Sequence, residues 1–213
     1  MKSGKGPAVH ETNEPYPNEK LMKPMIVLAL AGLVAMTAVA QDVKMKEGTK
    51  PTVVMVGGEA MYPMKNIVEN AMNSKDHTTL VAAVKAAGLV ETLQGAGPFT
   101  VFAPTNNAFT ALPAGTVDGL LKPEAKTALT TVLTYHVVAG TMDMKALKAA
   151  IEKAGGKAKL KTVAGQELTI SMNGPNNIQV WDVTGAYANI STYDVMQKNG
   201  VIHVIDRVLM PKM

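Results

Sequence analysis

The chain has 213 residues, of which 47% are apolar, so it is long enough for one domain or two small ones with a sizeable core. It contains no cysteine, which excludes disulfide bonds, thiolate metal sites and a cysteine nucleophile. The formal net charge is +4 and the lysines are spread along the chain, which argues against a nucleic-acid partner because nucleic-acid-binding proteins concentrate basic residues on one face.

An uncharged apolar segment, Met25 to Ala40, follows two lysines and ends in the small-x-small pattern Ala38-Val-Ala40. These features predict a secretory signal peptide that is cleaved after Ala40. Because a bilayer span needs roughly 20 residues, this segment is short for a membrane helix. An uncleaved anchor is the alternative, and it would be the only predicted contact with a membrane. We therefore expect a secreted or periplasmic protein that is associated with the cell surface.

Residues 1–21 are polar and carry both glutamate and lysine, which is unusual ahead of a signal peptide; a start at Met22 would give a more ordinary one. Residues 1–40 are therefore predicted to be an N-terminal extension and signal peptide. Residues 41–63 contain Gly57-Gly58 and are predicted to be a linker, and residues 64–211 are predicted to form one folded domain.

Apolar residues recur at helical spacing through the first part of this domain. Asp143 precedes one apolar stripe as a candidate N-cap, and Gly88 follows another as a candidate stop. The segment 123–138 is predicted to be a buried central helix, because Leu129 and His136 share its apolar face. Helices are predicted over residues 64–72, 76–87, 89–93, 105–109, 123–138 and 143–154.

Beyond Gly156 the period of the apolar residues changes to two, which indicates strands. Asn199-Gly200 and other glycine-containing pairs separate these runs as turn formers. Strands are predicted over residues 99–103, 159–163, 167–172, 178–182, 188–191 and 201–209. Since most helices come first and most strands later, the predicted fold class is α+β.

The sequence lacks the motifs of the common hydrolases, nucleotide triphosphatases, zinc proteases and dinucleotide-binding enzymes. Asp182, Asp194 and Asp206 lie on separate predicted strands or turns and do not form a catalytic pair. His136 and His203 are interpreted as hydrogen-bonded core residues, the alternative being a metal or general-base role if they converge. We expect no catalytic residue, no metal site and no cofactor.

Three segments in the order Thr100–Phe109, Leu133–Val138 and Asn199–Asp206 resemble the signature blocks of the fasciclin (FAS1) domain. The resemblance runs from about residue 66 to residue 211. It implies a wedge of strands packed against several helices, and a protein that acts by adhesion. The framework residues that it implies are Thr100, Phe102, Pro104, Thr105, Asn106, Phe109, Asn199, Gly200, His203 and Asp206.

The same resemblance implies a partner-contact site, because two of the family's motifs are implicated in contacts with cell-surface receptors. The matching residues here are Tyr135, His136, Asp194, Val195 and Met196. Two features of the sequence leave this contact-site assignment open. Asp194 is also suited to capping a turn, and the residue before it is a tyrosine where the family motif carries proline or lysine.

The resemblance predicts a secreted, non-catalytic adhesion module for cell-surface, biofilm or matrix contacts. Its partner would be a cell-surface or matrix protein or a polysaccharide. The alternative is a carrier of a lipophilic small molecule of the carotenoid type, since some fasciclin-like proteins bind such pigments and the aliphatic core could line a pocket.

Overall fold

The computed structural model describes residues 52–212. The predicted start at Met22, the signal peptide and the first part of the predicted linker lie outside the described residues. The helices are α1 Ile67–Ala71, α2 Thr78–Ala87, α3 Val90–Gln94, α4 Asn106–Thr110, α5 Thr116–Leu120, α6 Lys126–Tyr135 and α7 Met144–Lys153. The strands are β1 Val54–Val56, β2 Glu59–Met61, β3 Phe99–Pro104, β4 Val137–Ala139, β5 Lys157–Lys161, β6 Glu167–Asn173, β7 Asn177–Trp181, β8 Tyr187–Gln197 and β9 Gly200–Ile205.

Local capping explains where several helices begin and end. Asn66 and Glu69 form a reciprocal capping box at the start of α1, and Asp143 accepts the Ala146 N–H at the start of α7. Gly88 ends α2 in the left-handed conformation, with a φ of 74° that side-chain-bearing residues rarely adopt. The two caps predicted from the sequence at Asp143 and Gly88 are therefore confirmed.

The main sheet has the strand order β4-β3-β9-β8-β7-β6-β5. Its pairs are antiparallel except for β3 and β9, which run parallel and are the second and third strands from the β4 edge. The two outer strands also approach each other: Val138 pairs with Thr162, and the Val163 N–H donates to the Val137 carbonyl oxygen at 2.7 Å. The sheet therefore curls until its edges meet, which covers both edges.

Two apolar clusters fill the domain. One lies between the helical layer, α1 to α6, and the face of β3 and β9. The other fills the curled sheet, where Leu147 and Ile151 of α7 pack against inward residues such as Leu168, Ile170 and Ile178. The predicted α+β class, a strand wedge packed against helices, is confirmed. No helix among residues 52–212 has the length and apolar character needed to cross a membrane.

The end of the predicted linker is part of the folded unit. Residues 54–61 form the hairpin β1–β2, in which Val56 and Met61 are buried in the helical-side core. The hairpin is also joined to the turn before α2, since Lys75 and Glu59 form an ion pair at 3.0 Å. The linker interpretation was wrong here because each strand has only three residues, too few to show an alternation.

Other boundaries also differ from the predictions. The central helix ends at Tyr135 instead of residue 138, because Val137 and Val138 leave it and pair with β3. Strand β8 spans eleven residues instead of four, since register shifts between Ile190 and Val195 interrupt its alternation. The last strand ends at Ile205 instead of residue 209, and the short helix α5 was not predicted.

A substitution at the hairpin tests whether it belongs to the core. Met61 is 2% exposed, whereas Met64, three residues later, is 79% exposed. Met61→Ala should lower the free energy of unfolding by about 2–5 kcal/mol, because it removes buried atoms and leaves a cavity. The control Met64→Ala should change it by less than about 0.5 kcal/mol. Denaturant unfolding measures both, and equal values for the two variants would mean that the hairpin behaves as a linker.

Candidate interaction site

Tyr135, at the end of α6, is fully buried in the apolar cluster that fills the curled sheet. Its hydroxyl donates to the Glu167 carbonyl oxygen at 3.0 Å and accepts from the Val183 N–H at 3.1 Å. Burial raises the pKa of this hydroxyl to about 12, so it stays protonated and keeps its donor role. The side chain thus closes a gap between β6 and the turn after β7.

His136 is also buried, and both of its ring nitrogens are used. Nδ1 donates to the Val132 carbonyl oxygen at 2.8 Å, and Nε2 accepts from the Leu209 N–H at 3.0 Å. These partners fix the neutral tautomer with the proton on Nδ1. Burial lowers the pKa of His136 to about 4. The ring joins the last turn of α6 to the C-terminal segment, as the interpretation of a hydrogen-bonded core histidine requires.

His203 plays the same part on β9. Its Nε2 donates to the Met142 carbonyl oxygen at 2.8 Å, and its Nδ1 accepts from the Asp194 N–H at 3.4 Å. Burial lowers its pKa as well. Since the polar atoms of His136 and His203 bond to backbone groups, neither ring is free to bind a metal or a substrate. Residues 52–212 contain no group of three or more histidine, cysteine, aspartate or glutamate side chains that could hold a metal ion.

Asp194 stabilises the start of α7. It has a φ of 55°, unusual for a residue with a side chain, and its Oδ1 accepts from the Met144 N–H at 2.7 Å. Asp143 caps the same helix one residue earlier, so two carboxylates lie at the positive end of its dipole. The capping role considered from the sequence is therefore present, although Asp194 caps a helix from a distant strand.

The predicted contact residues divide into buried and accessible ones. Tyr135, His136 and Val195 are each at most 3% exposed, so their side chains cannot touch a partner of the folded domain. Asp194 is half-buried and Met196 is 38% exposed. The structure thus corrects the five-residue contact site: only Asp194 and Met196 present side-chain atoms to the surface.

Asn199, in the turn between β8 and β9, bonds to two distant segments, the start of α1 and the end of α3. Its Oδ1 accepts from the Ile67 N–H at 3.0 Å, and its Nδ2 donates to the carbonyl oxygens of Leu93 and Gly95 at 2.8 and 2.9 Å. The next residue, Gly200, lies so close to β3 that an added Cβ would overlap the Phe99 carbonyl oxygen. The fold therefore needs the asparagine for its hydrogen bonds and the glycine because no larger residue fits.

The first signature block has similar structural roles. Thr100 donates to the Gly140 carbonyl oxygen at 2.6 Å and accepts from the Met142 N–H, which holds the loop before α7 against β3. Thr105 caps α4 through the Ala108 N–H. The remaining framework residues are placed as follows: Phe102 and Phe109 in the core, Pro104 at the end of β3, Asn106 on Lys75 and Thr79 backbone groups, and Asp206 on Asn189.

The structural roles of two buried polar residues, Asn70 and Asp182, were not predicted from the sequence. Asn70 of α1 bonds to both backbone groups of Tyr62 and to the side chain of Gln197, which fastens the hairpin to β8. Asp182 accepts from the N–H groups of Thr184, Ala186 and Met210. Neither residue belongs to a spaced motif, because their partners are backbone groups brought near by the fold.

A small apolar pocket lies between the helical layer and the sheet. Its volume is about 50 Å³, and its lining is aliphatic, including Leu80, Val101 and Ile202. His77 also lines it, with Nδ1 at 2.8 Å from the Ser74 hydroxyl oxygen, while the buried Nε2 has no hydrogen-bond partner among the described residues. Ligand pockets usually measure roughly 300–1,000 Å³, so a carotenoid-type pigment does not fit this pocket as it stands.

Comparisons with known proteins agree with this architecture. A family model described as Fasciclin domain matches residues 75–211. Protein sll1483 of Synechocystis sp. is 50% identical over 147 residues, which cover 69% of this chain and 74% of that relative. The cell surface glycolipoprotein MPB83 of Mycobacterium bovis is 35% identical over 161 residues, which cover 73% of this chain and 64% of that relative.

A solved structure supports the fold independently. A FAS1 domain pair from the insect cell adhesion molecule Fasciclin I has a TM-score of 0.60 to this chain at 19% sequence identity. The match covers 68% of this chain and 51% of that one. The resemblance drawn from the three sequence segments is therefore confirmed at the level of family and fold.

Asn199→Ala should strongly destabilise the domain. The change leaves one buried N–H and two carbonyl oxygens without their partner, and each unsatisfied buried group costs about 1–3 kcal/mol. Asn177→Ala, at an exposed position of β7, is the matched control and should change the free energy of unfolding by less than about 0.5 kcal/mol. Similar thermal midpoints for both variants would contradict the bridging role of Asn199.

His136 should make the domain acid-sensitive. Its folded pKa of about 4 lies below the ordinary 6.5, so the unfolded state binds the proton more readily and stability falls with falling pH. The contribution is fully present above pH 6.5 and is lost towards pH 4, with a magnitude of up to about 3 kcal/mol. Unfolding free energies of the wild type and of His136→Gln, measured from pH 7 to about pH 4, isolate this slope. Parallel curves would rule out His136 as its source.

Proposed function

Because the chain belongs to the fasciclin domain family, we propose that it is a non-catalytic adhesion module that acts outside the cell. It contacts the cell surface, a biofilm or an extracellular matrix through exposed side chains. Support for the location comes from the apolar segment Met25–Ala40 and from the relative named as a cell surface glycolipoprotein. Support for adhesion comes from the structural neighbour, which is named as a cell adhesion molecule.

The observation that carries this proposal is the internal use of the polar motif side chains. His136, His203 and Asn199 each bond to backbone groups of distant segments, which leaves them without free polar atoms for chemistry. An enzyme would need a nucleophile, a base and oxyanion donors that converge on a substrate. In this family member the same residue types hold the scaffold together, so the outer surface is the part available for function.

Within that surface, Asp194 and Met196 are the part of the predicted contact site that a partner can reach. Met196 is an exposed apolar side chain on β8, next to the turn that Asn199 fixes. Flexible methionine side chains adapt to partners of different shapes. We retain this pair as the contact proposed from the family motif.

The carrier alternative has one supporting observation, the apolar pocket beside His77. At about 50 Å³ it admits a small apolar molecule. A pigment of carotenoid length would require the helical layer to move away from the sheet and to expose core residues such as Leu80 and Val101. Adhesion needs no such rearrangement, and we favour it for that reason.

Retention on intact cells tests the proposed function. The full chain, produced in its own organism, should be found outside the cytoplasm and bound to cells, where added protease reaches it. Met196→Ser should reduce retention by about fivefold, since truncating one contact side chain typically costs about 1 kcal/mol or more. The control Met72→Ser changes an exposed methionine directly after α1 and should have no effect. Protein confined to the cytosol, or never held on cells, would overturn the proposal.

A further inference from the structure

The outer face of strands β5 to β8 carries an aromatic pair in direct register. Trp181 of β7 and Tyr187 of β8 are paired across the two strands, with ring centroids 4.7 Å apart. Their neighbours Val180 and Ala188 are fully buried, so the alternation places both rings on the solvent side of the sheet. Tyr187 is 41% exposed. Two rings are thus presented to solvent although burial in the core would be favourable.

The tryptophan ring is fixed in position. Its Nε1 donates to the Ser171 hydroxyl oxygen at 2.9 Å, across the β6–β7 pair. The Lys157 ammonium lies 5.8 Å from the ring centroid, within the range of a cation–π interaction. Because the indole N–H is already bonded, the ring offers its apolar surface to a ligand. A ring held in this way loses little entropy on binding.

Amide side chains surround the rings on the same face. Gln179 and Asn189 occupy the neighbouring cross-strand row, and the Gln179 Nε2 donates to the Asn189 Oδ1 at 3.3 Å. Asn177 lies exposed at the start of β7. Each amide combines a donor and an acceptor, which suits hydroxyl groups that must do both. The face is therefore polar around an apolar centre.

Positive charge lines one edge of this face. Lys157, Lys159 and Lys161 all point outward from β5, since Ala158 and Leu160 between them are buried. Lys159 pairs with Glu167 at 2.9 Å, which leaves two lysines without a carboxylate partner among the described residues. At the opposite side of the face, Asp206 is bonded to Asn189. The charge is thus concentrated beside the rings, although the sequence suggested lysines spread without pattern.

We propose that this sheet face, defined by Trp181, Tyr187, Gln179, Asn189 and the β5 lysines, binds an acidic polysaccharide. The rings stack on the C–H faces of sugar units, the amides bond to hydroxyl groups, and the lysines pair with carboxylates of the chain. The assignment rests on the proposed function, whose partner class it names. A polar, charged face with an aromatic centre suits a repeating sugar better than a protein interface, whose centre is depleted of charged residues.

Trp181 is the only tryptophan of the chain, so its fluorescence reports on this face without labelling. Polygalacturonate should change the emission of the full-length protein in a saturable way, and binding should weaken as salt rises. Neutral dextran should bind at least about tenfold more weakly, because it offers no carboxylate to the lysines. Sulfated dextran separates a need for carboxylate from a need for negative charge alone. Absence of any saturable emission change would overturn the inference.

A matched pair of variants tests the location. Lys157→Gln combined with Lys161→Gln should weaken polygalacturonate binding by about tenfold. Lys122→Gln combined with Lys126→Gln removes the same charge from exposed positions on and before α6 and should leave binding unchanged. Equal losses in both pairs would mean that binding follows net charge and would overturn the site. Tyr187→Ser keeps the reporter and should also weaken binding.

Single-stranded DNA is the competing ligand, because stacking rings and lysines also suit nucleic acid. Tighter binding of DNA than of polygalacturonate at equal salt would overturn the polysaccharide assignment. The retention assay on cells separates this inference from the proposed function. Retained protein without polygalacturonate binding refutes the sheet face alone, whereas polygalacturonate binding by a protein absent from the cell exterior refutes the extracellular role alone.

Discussion

The burial of strand β9 is the constraint on which the rest of the domain depends. Every residue from Gly200 to Ile205 is buried, with β3 parallel on one side and β8 antiparallel on the other. No water is at hand for a polar group in such a strand, so each must be bonded internally. His203 meets this requirement as a neutral ring between two backbone groups. Asn199, at the entrance of the strand, ties the helical layer to it.

This constraint explains why the residues that identify the family are poor candidates for chemistry or for direct contact. A side chain that satisfies two buried backbone groups cannot also be offered to a partner without exposing them. The motif residues therefore specify the scaffold, and recognition falls to side chains that the scaffold leaves outside. Asp194 is intermediate between these roles, since one of its oxygens caps α7 while the residue itself is half-buried. The carboxylate is thus held in a defined position at the surface.

Local signals predicted the local features well. Asp143 and Gly88 begin or end helices as predicted, because the side chain of one and the conformational freedom of the other act within a few residues. Strand pairing between distant segments could not be predicted from the sequence in this way. Val137 and Val138 continue the helical pattern of apolar residues in the sequence. In the structure they pair with β3, a strand far away in the sequence, because β-branched residues favour strands.

The candidate site was also predicted only in part, because side-chain direction depends on contacts between distant segments. The resemblance pointed to Tyr135, His136 and Val195 but could not tell that their side chains face inward. The outward direction of Trp181, by contrast, follows from strand alternation with Val180, and the aromatic pairing with Tyr187 needed only the register of β7 and β8. That register could not be predicted from the sequence, because it depends on the hairpin turn between the strands and on how the sheet curls.

The two sides of the domain differ in how completely their cores are filled, and this difference bears on where a partner binds. The helical side contains a pocket of about 50 Å³, so its core is filled less completely. The curled sheet is filled by fully buried residues such as Leu168 and Ile178, and its edges meet at Val138 and Thr162. A weak, repeated contact with a flexible polymer gains most from a surface that is ordered before binding. The sheet side offers such a surface, whereas a ligand larger than this pocket would have to rearrange the core of the helical side.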